Sequence, residues 1–231
     1  MDNKEKIEYS VNILVRFDDL QWAEKLRDGE VFMRTLREFR KGDKAGFSDA
    51  EEGMFLKLDK AEVLYDNKRL GLANSVKIFI GSNYPIICFF ELRGYKINEN
   101  LYRCIIPERL IAEFSKGHEK PVLLGVPREP FLQKLKAATD GMNLEFYAAR
   151  VKYSDSWSEH LQRPWENLYR KRESYKYQQE FRVVLFEDSD APYKILNIGS
   201  LCDVAGIIPL YEKYSGGDLT IEIEIPEGKD K

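Results

Sequence analysis

The chain has 231 residues, 43% hydrophobic and 32% charged, a balance that excludes wholesale disorder and fits one large domain or two small ones. Lys and Arg number 36 against 39 Asp and Glu, giving a formal net charge of −3, so no global basic field exists and general nucleic-acid binding is not expected. Three separated cysteines, no apolar run of 18 residues and no apolar N-terminal signal core point to a cytoplasmic protein with reduced thiols and no membrane span.

Tyr9 to Phe17 is an apolar, β-branched run and reads as a buried strand. Asp18 or Asp19 then offers an N-cap for a short helix through Leu26, stopped by Asp28-Gly29. A second strand opens at Glu30 and turns helical near Leu36, followed by a glycine- and acid-rich loop from Gly42 to Gly53. Strand patterns follow at Met54–Leu58, Ala61–Tyr65, Ser75–Ile80 and Ile86–Leu92. Pro107–Lys116 and Pro130–Ala138 show helical spacing, with strands at Pro121–Val126 and Glu145–Tyr153 between and after them. Trp157–Lys171 is helical or loop-like, with Trp165, Leu168 and Tyr169 expected to pack inward. Phe181–Phe186 is a strand, Leu201–Tyr211 a short helix broken at Pro209, and Leu219–Ile225 a closing strand with strict alternation. No linker composition or repeat occurs, so a single α+β domain over 1–231 is expected, with 226–231 as a frayed tail.

Two segments carry candidate chemistry. Arg16 ends the first strand, where a fixed guanidinium fork suits a phosphate or carboxylate; pairing with Asp18 or Asp19 is the plainer alternative. In Tyr175 to Leu185, alternation puts Gln178, Glu180 and Arg182 on one face and Phe181, Val183 and Leu185 on the other. An acid among aromatic and amide groups can orient a sugar hydroxyl or stabilise a developing cation; a Glu180–Arg182 surface pair is the competing structural role. The acid-rich loop lacks calcium-loop spacing, and His118 and His160 sit far apart in polar stretches, so no metal is expected. Lys171 and Arg172 are candidates for anion binding.

Several of these pieces together resemble a widespread family of uncharacterised bacterial and phage proteins. The resemblance runs through Val15-Arg16-Phe17, Gly29, Val31-Phe32-Met33, Asp49 to Gly53, Ile86 to Phe90, Val151-Lys152-Tyr153, a downstream Lys, and the aromatic-x-x-Glu-Phe-Arg strand from Tyr177 to Arg182. More distantly, a first strand ending in a polar residue and a late strand opened by Glu is similar to the ADP-ribosyltransferase fold, implying split β-sheets with flanking helices. That likeness implies NAD as substrate, with Glu180 and Gln178 catalytic and Arg16, Phe17, Ser82, Tyr84, Tyr177 and Arg182 binding it. The family's Ser-Thr-Ser strand has no clear match; Ser82, in Ile80 to Tyr84, stands nearest to it. The implied function is an NAD-using ADP-ribosyltransferase or NAD glycohydrolase, as in toxins and phage-conflict effectors, with a protein target or antitoxin as partner. The alternative is a non-catalytic module that binds a nucleotide or a protein on the same fold.

Overall fold

The computed structural model describes residues 8–41, 51, 53–66, 68–155 and 164–224. Most of the 42–53 loop, His160 and the 226–231 tail lie outside them.

Strand β1 (Glu8–Asp19) feeds helix α1 (Leu20–Arg27) at the expected place. The expected side-chain cap is not made. Asp19 instead accepts the Glu119 N–H, and Asp18 accepts that of Asp19, both at 3.0 Å. Gly29 then reverses the chain at φ 104°, and a Cβ there would stand 2.4 Å from the Gly199 carbonyl oxygen, so only glycine fits. Strand β2 (Glu30–Thr35) and helix α2 (Leu36–Arg40) follow as expected.

The separate strands expected between Met54 and Ile80 join into a long hairpin, β3 (Met54–Tyr65) and β4 (Lys68–Phe79). Then come β5 (Pro85–Lys96), an unexpected β6 (Leu101–Ile106), α3 (Glu108–Ser115), β7 (Pro121–Pro127) and α4 (Arg128–Gly141). The expected 145–153 strand divides into β8 (Phe146–Arg150) and β9 (Lys152–Tyr153). A 3₁₀ turn at Pro164–Tyr169 leads to β10 (Arg170–Lys171), and a second at Glu173–Gln178 leads to β11 (Glu180–Leu185). β12 (Tyr193–Asn197) was not expected. The helix expected over Leu201–Tyr211 is replaced by strand β13 (Gly206–Pro209) and a single turn, α5 (Leu210–Lys213). β14 (Leu219–Glu224) closes the order.

Apart from the hairpin and a two-residue parallel pair of β9 with β10, the strands form one ten-stranded, antiparallel sheet. Its organiser is β5, which changes partners along its length. Phe90 pairs with Glu180 of β11 and with Val15 of β1, so those strands lie on opposite edges. Ile86 pairs with Val184 of β11 and Arg34 of β2, which puts β2 on the same edge as β1. Gly94 pairs with Tyr9 of β1 and Cys104 of β6, placing β6 on the β11 side. The first half of β5 therefore belongs to a section ordered β8-β11-β5-β2-β12, and its second half to one ordered β13-β7-β1-β5-β6-β14. Between Ile86 and Phe90 neither β1 nor β2 pairs with that edge, and the sheet is split there.

Alternating side chains settle the layers. On one face Leu14, Phe89, Val122, Leu124, Val126, Phe181 and Val183 pack under Ala23 and Leu26 of α1 and Phe131 and Leu135 of α4. Each such Leu or Phe contributes about 1.5–3 kcal/mol by leaving water. The other face carries two smaller clusters. Val15, Phe17, Leu92 and Leu123 meet Leu110 and Ile111 of α3 and Leu210 of α5; Ile86 and Val184 meet Leu36 of α2 and Leu168 and Tyr169 of the 3₁₀ turn. The mixed α+β class expected from the sequence is what these layers form, and among the described residues no helix is long and apolar enough to cross a membrane.

Candidate functional site

A cavity opens between these two smaller clusters, over the split in the sheet. Its walls include Val15, Phe17 and Phe114 from one cluster and Ile86, Cys88 and Phe39 from the other. Arg16, Asp18, Arg34, His118, Lys171, Gln178 and Glu180 supply the polar lining. A volume of about 120 Å³ is open to the centres of water-sized molecules. At about 30 Å³ per liquid water, that is room for roughly four waters, enough for a ring-sized group but not for a dinucleotide.

Arg16 and Glu180, far apart in the chain, thus line one hollow. Arg16 reaches across the split: its Nη1 donates to the Cys88 carbonyl oxygen at 3.3 Å, meeting the edge of β5 that no strand covers. Its Nε donates to Asp18 at 2.8 Å, so the plainer pairing seen in the sequence also forms, and the side chain stays 26% exposed.

Glu180 lies at the floor, 5% exposed. Its Oε1 takes Arg182 Nε at 2.5 Å and its Oε2 takes Lys171 Nζ at 2.5 Å. The Glu180–Arg182 pair expected as a surface contact is therefore buried, because the 3₁₀ turns and α2 cover that face of β11 as the α4 layer covers the other. Burial by itself raises a carboxyl pKa, but the Arg182 and Lys171 charges reverse the effect and hold Glu180 well below the usual carboxylate range. Its backbone N–H donates to the Tyr153 hydroxyl at 2.8 Å. Burial, with the Glu180 charge adding to it, pushes that phenol up to about 12. Burial next to Glu180 likewise raises the Cys88 thiol far above its ordinary value.

Gln178, expected to be catalytic, lines the cavity, and its Oε1 accepts Lys171 Nζ at 3.0 Å. The second 3₁₀ turn brings these groups together: it ends with Gln179 in the left-handed region at φ 40°, which turns the chain sharply into β11. Phe17 lines the cavity as expected. Four expected binding residues do not. Arg182 is fully buried beneath Glu180, where Nη1 also donates to the Leu168 carbonyl oxygen. Tyr84 packs edge-on against Phe186. Tyr177 donates its hydroxyl to Glu113 at 2.6 Å and stacks under Arg109. Ser82 sits in the β4–β5 connection outside the lining.

Asp18, Arg34, Cys88 and His118 line the cavity without having been expected to. Arg34 was findable in principle, since Phe32 and Arg34 alternate onto one face of β2 and both line the cavity. Lys171, considered only for anions, is the partner of Glu180. Among the described residues no group of His, Cys, Asp and Glu is arranged to hold a metal. Of the thiols expected to be buried, Cys104 is, Cys88 is partly covered and Cys202 is exposed. Scans against protein-family models, curated proteins and solved structures find no match to this chain.

Proposed function

We propose that the cavity binds a nucleotide, NAD, and that the protein acts as an NAD glycohydrolase or ADP-ribosyltransferase. The observation that carries this is the convergence of Arg16, Phe17, Gln178 and Glu180 on one hollow at the split of the sheet. An ADP-ribosyltransferase-like arrangement accords with it: the opening strand delivers a cation and a late strand an acid, either side of a strand shared by two sheet sections. In this reading the nicotinamide end enters the cavity beside Phe17, Phe90 and Phe114, and the diphosphate lies against Arg16 and Arg34. When the glycosidic C–N bond breaks, its electron pair leaves with nicotinamide and positive charge grows on the ribose. A carboxylate near the ribose 2′-hydroxyl favours that transition state over the ground state, and water or an acceptor side chain then takes the ribosyl carbon.

One observation favours a second reading, a nucleotide-binding module without chemistry. Both Glu180 oxygens are already engaged by Lys171 and Arg182, so part of the negative charge that a ribosyl cation needs is neutralised.

The experiment measures nicotinamide release and NAD-induced thermal shift together. Glu180→Asp keeps the charge between Lys171 and Arg182 but withdraws it by one methylene. For an enzyme, turnover in this folded variant falls by about 100-fold, as expected for a catalytic group displaced by about 1 Å. A shift without release, abolished in Arg16→Gln, identifies the binding module. Neither release nor shift with wild-type protein refutes both.

A further inference from the structure

A second concentration of charge lies on the other face of the sheet. Glu91 follows Phe89 at the two-residue period of β5 and so points to the α1–α4 side, and neither it nor the arginines about it line the cavity. It is 1% exposed, and three arginines from three elements surround it. Arg150 of β8 grips it as a fork, Nε on Oε2 at 2.5 Å and Nη2 on Oε1 at 2.9 Å. Arg128, the first residue of α4, donates Nη1 to Oε1 at 3.2 Å and lies over the Phe181 ring. Arg93 of β5 stands with Nη2 3.9 Å away.

The Arg150 fork alone neutralises one carboxylate, and neither Arg93 nor Arg128 is needed for that purpose. Three guanidiniums against Glu91 and the exposed Glu129, which stands 3.5 Å from Arg128 Nε, leave one surplus positive charge in a small volume, beside the start of α4, whose N-terminal dipole adds to it and whose N-cap, Pro127, gives no side-chain cap. Arg150 is 51% exposed and Arg93 37%, so the cluster faces solvent while the acid lies underneath. Among the described residues Arg93 makes no hydrogen bond shorter than its 3.9 Å approach to Glu91. A planar donor fork held near two others, and no closer than 3.9 Å to the Glu91 carboxylate, suits a multi-oxygen acceptor.

We propose that Arg93, Arg128 and Arg150 form an anion site for a phosphate dianion, separate from the cavity on the opposite face. Inorganic phosphate and the terminal phosphate of a nucleoside monophosphate share the chemistry. Glu91 holds the forks in place and competes with the ligand for them.

The site is tested by isothermal titration of the full chain with inorganic phosphate and with adenosine monophosphate. Wild-type protein binds phosphate, and Arg93→Gln weakens binding about tenfold, the loss of one charge-assisted hydrogen bond. Lys136→Gln, at an exposed lysine of α4 paired with Asp140, leaves phosphate affinity unchanged. Glu91→Gln tightens binding by removing the competing carboxylate; where that variant does not fold, the half-exposed Arg93→Gln decides alone. Equal affinity for the two ligands identifies phosphate itself as the recognised group, and tighter monophosphate binding that still depends on Arg93 assigns a nucleotide phosphate. No heat at millimolar phosphate, or affinity lost with Arg16→Gln but not with Arg93→Gln, overturns the proposal. Because NAD turnover is not read, failure here is distinct from failure of the cavity assignment.

Discussion

Glu180 holds two buried cations in place, so its loss is felt first as stability. Glu180→Gln leaves Lys171, 7% exposed in its side chain, and Arg182, 1% exposed, without their counter-charge. A loss of about 3–5 kcal/mol is expected, read as a lower urea midpoint, and an unchanged midpoint would contradict the burial. The same carboxylate makes stability depend on pH. Its folded pKa is depressed below the ordinary 4.5, so its contribution is complete above that value and is lost as pH falls below it. Urea midpoints of the wild type should drop between pH 6 and pH 3 more steeply than those of Glu180→Gln. Thiol reactivity separates the cysteines: exposed Cys202 should label with a disulfide reagent in the native protein, while Cys88, its thiol pushed up by burial, and buried Cys104 label only on unfolding. The candidate site was legible in the sequence where strand position alone decides, as for Arg16, Phe17 and Glu180. It was not legible for Lys171 or Cys88, because which neighbour of a buried acid is its partner depends on turn geometry and on pairing across β5.

At the level of elements, β5 is where substitutions should cost most. A Cβ at Gly94 would meet Cys104 Sγ at 2.6 Å and the Arg103 carbonyl oxygen at 3.0 Å, where β6 joins the second section. Gly94→Ala should therefore lose about 1–3 kcal/mol by overpacking, measured by denaturant unfolding. Long periodic elements such as β1, α3, α4 and β11 could be read from their residues, since burial of one stripe or one face sets their pattern. Short ones could not. Gly206-Ile-Ile-Pro runs directly into Leu210-Tyr211, and a continuous apolar run does not distinguish a strand from a helix. Only antiparallel pairing with β7, from Gly206↔Gly125 to Pro209↔Val122, makes it β13. β6 and β12 are likewise short strands that owe their conformation to β5 and β2.

Across the whole molecule, protection from exchange should be uneven. The β3–β4 hairpin pairs with no other strand among the described residues, and two-stranded ribbons are marginal by themselves. Its amides should exchange with deuterium well before those of β5, β11 and β7, which lie inside the sheet under helices on one face and satellite cores on the other. Equal protection would show that the hairpin is tied to the core more firmly than its pairing suggests.

The two edges of β5 are filled from very different parts of the chain. β1 and β2 emerge from the ribosome before it, but β11, its neighbour from Ile86 to Phe90, is made only after residue 179. Until then a nascent chain carries a central strand with one open edge rich in Ile and Phe, the kind of surface that recruits other strands or chaperones. Lys171 arrives just before that portion, and Glu180 and Arg182 open it, so the three charges meet at the moment the edge is covered. Chains cut before β11 should aggregate rather than persist as soluble intermediates.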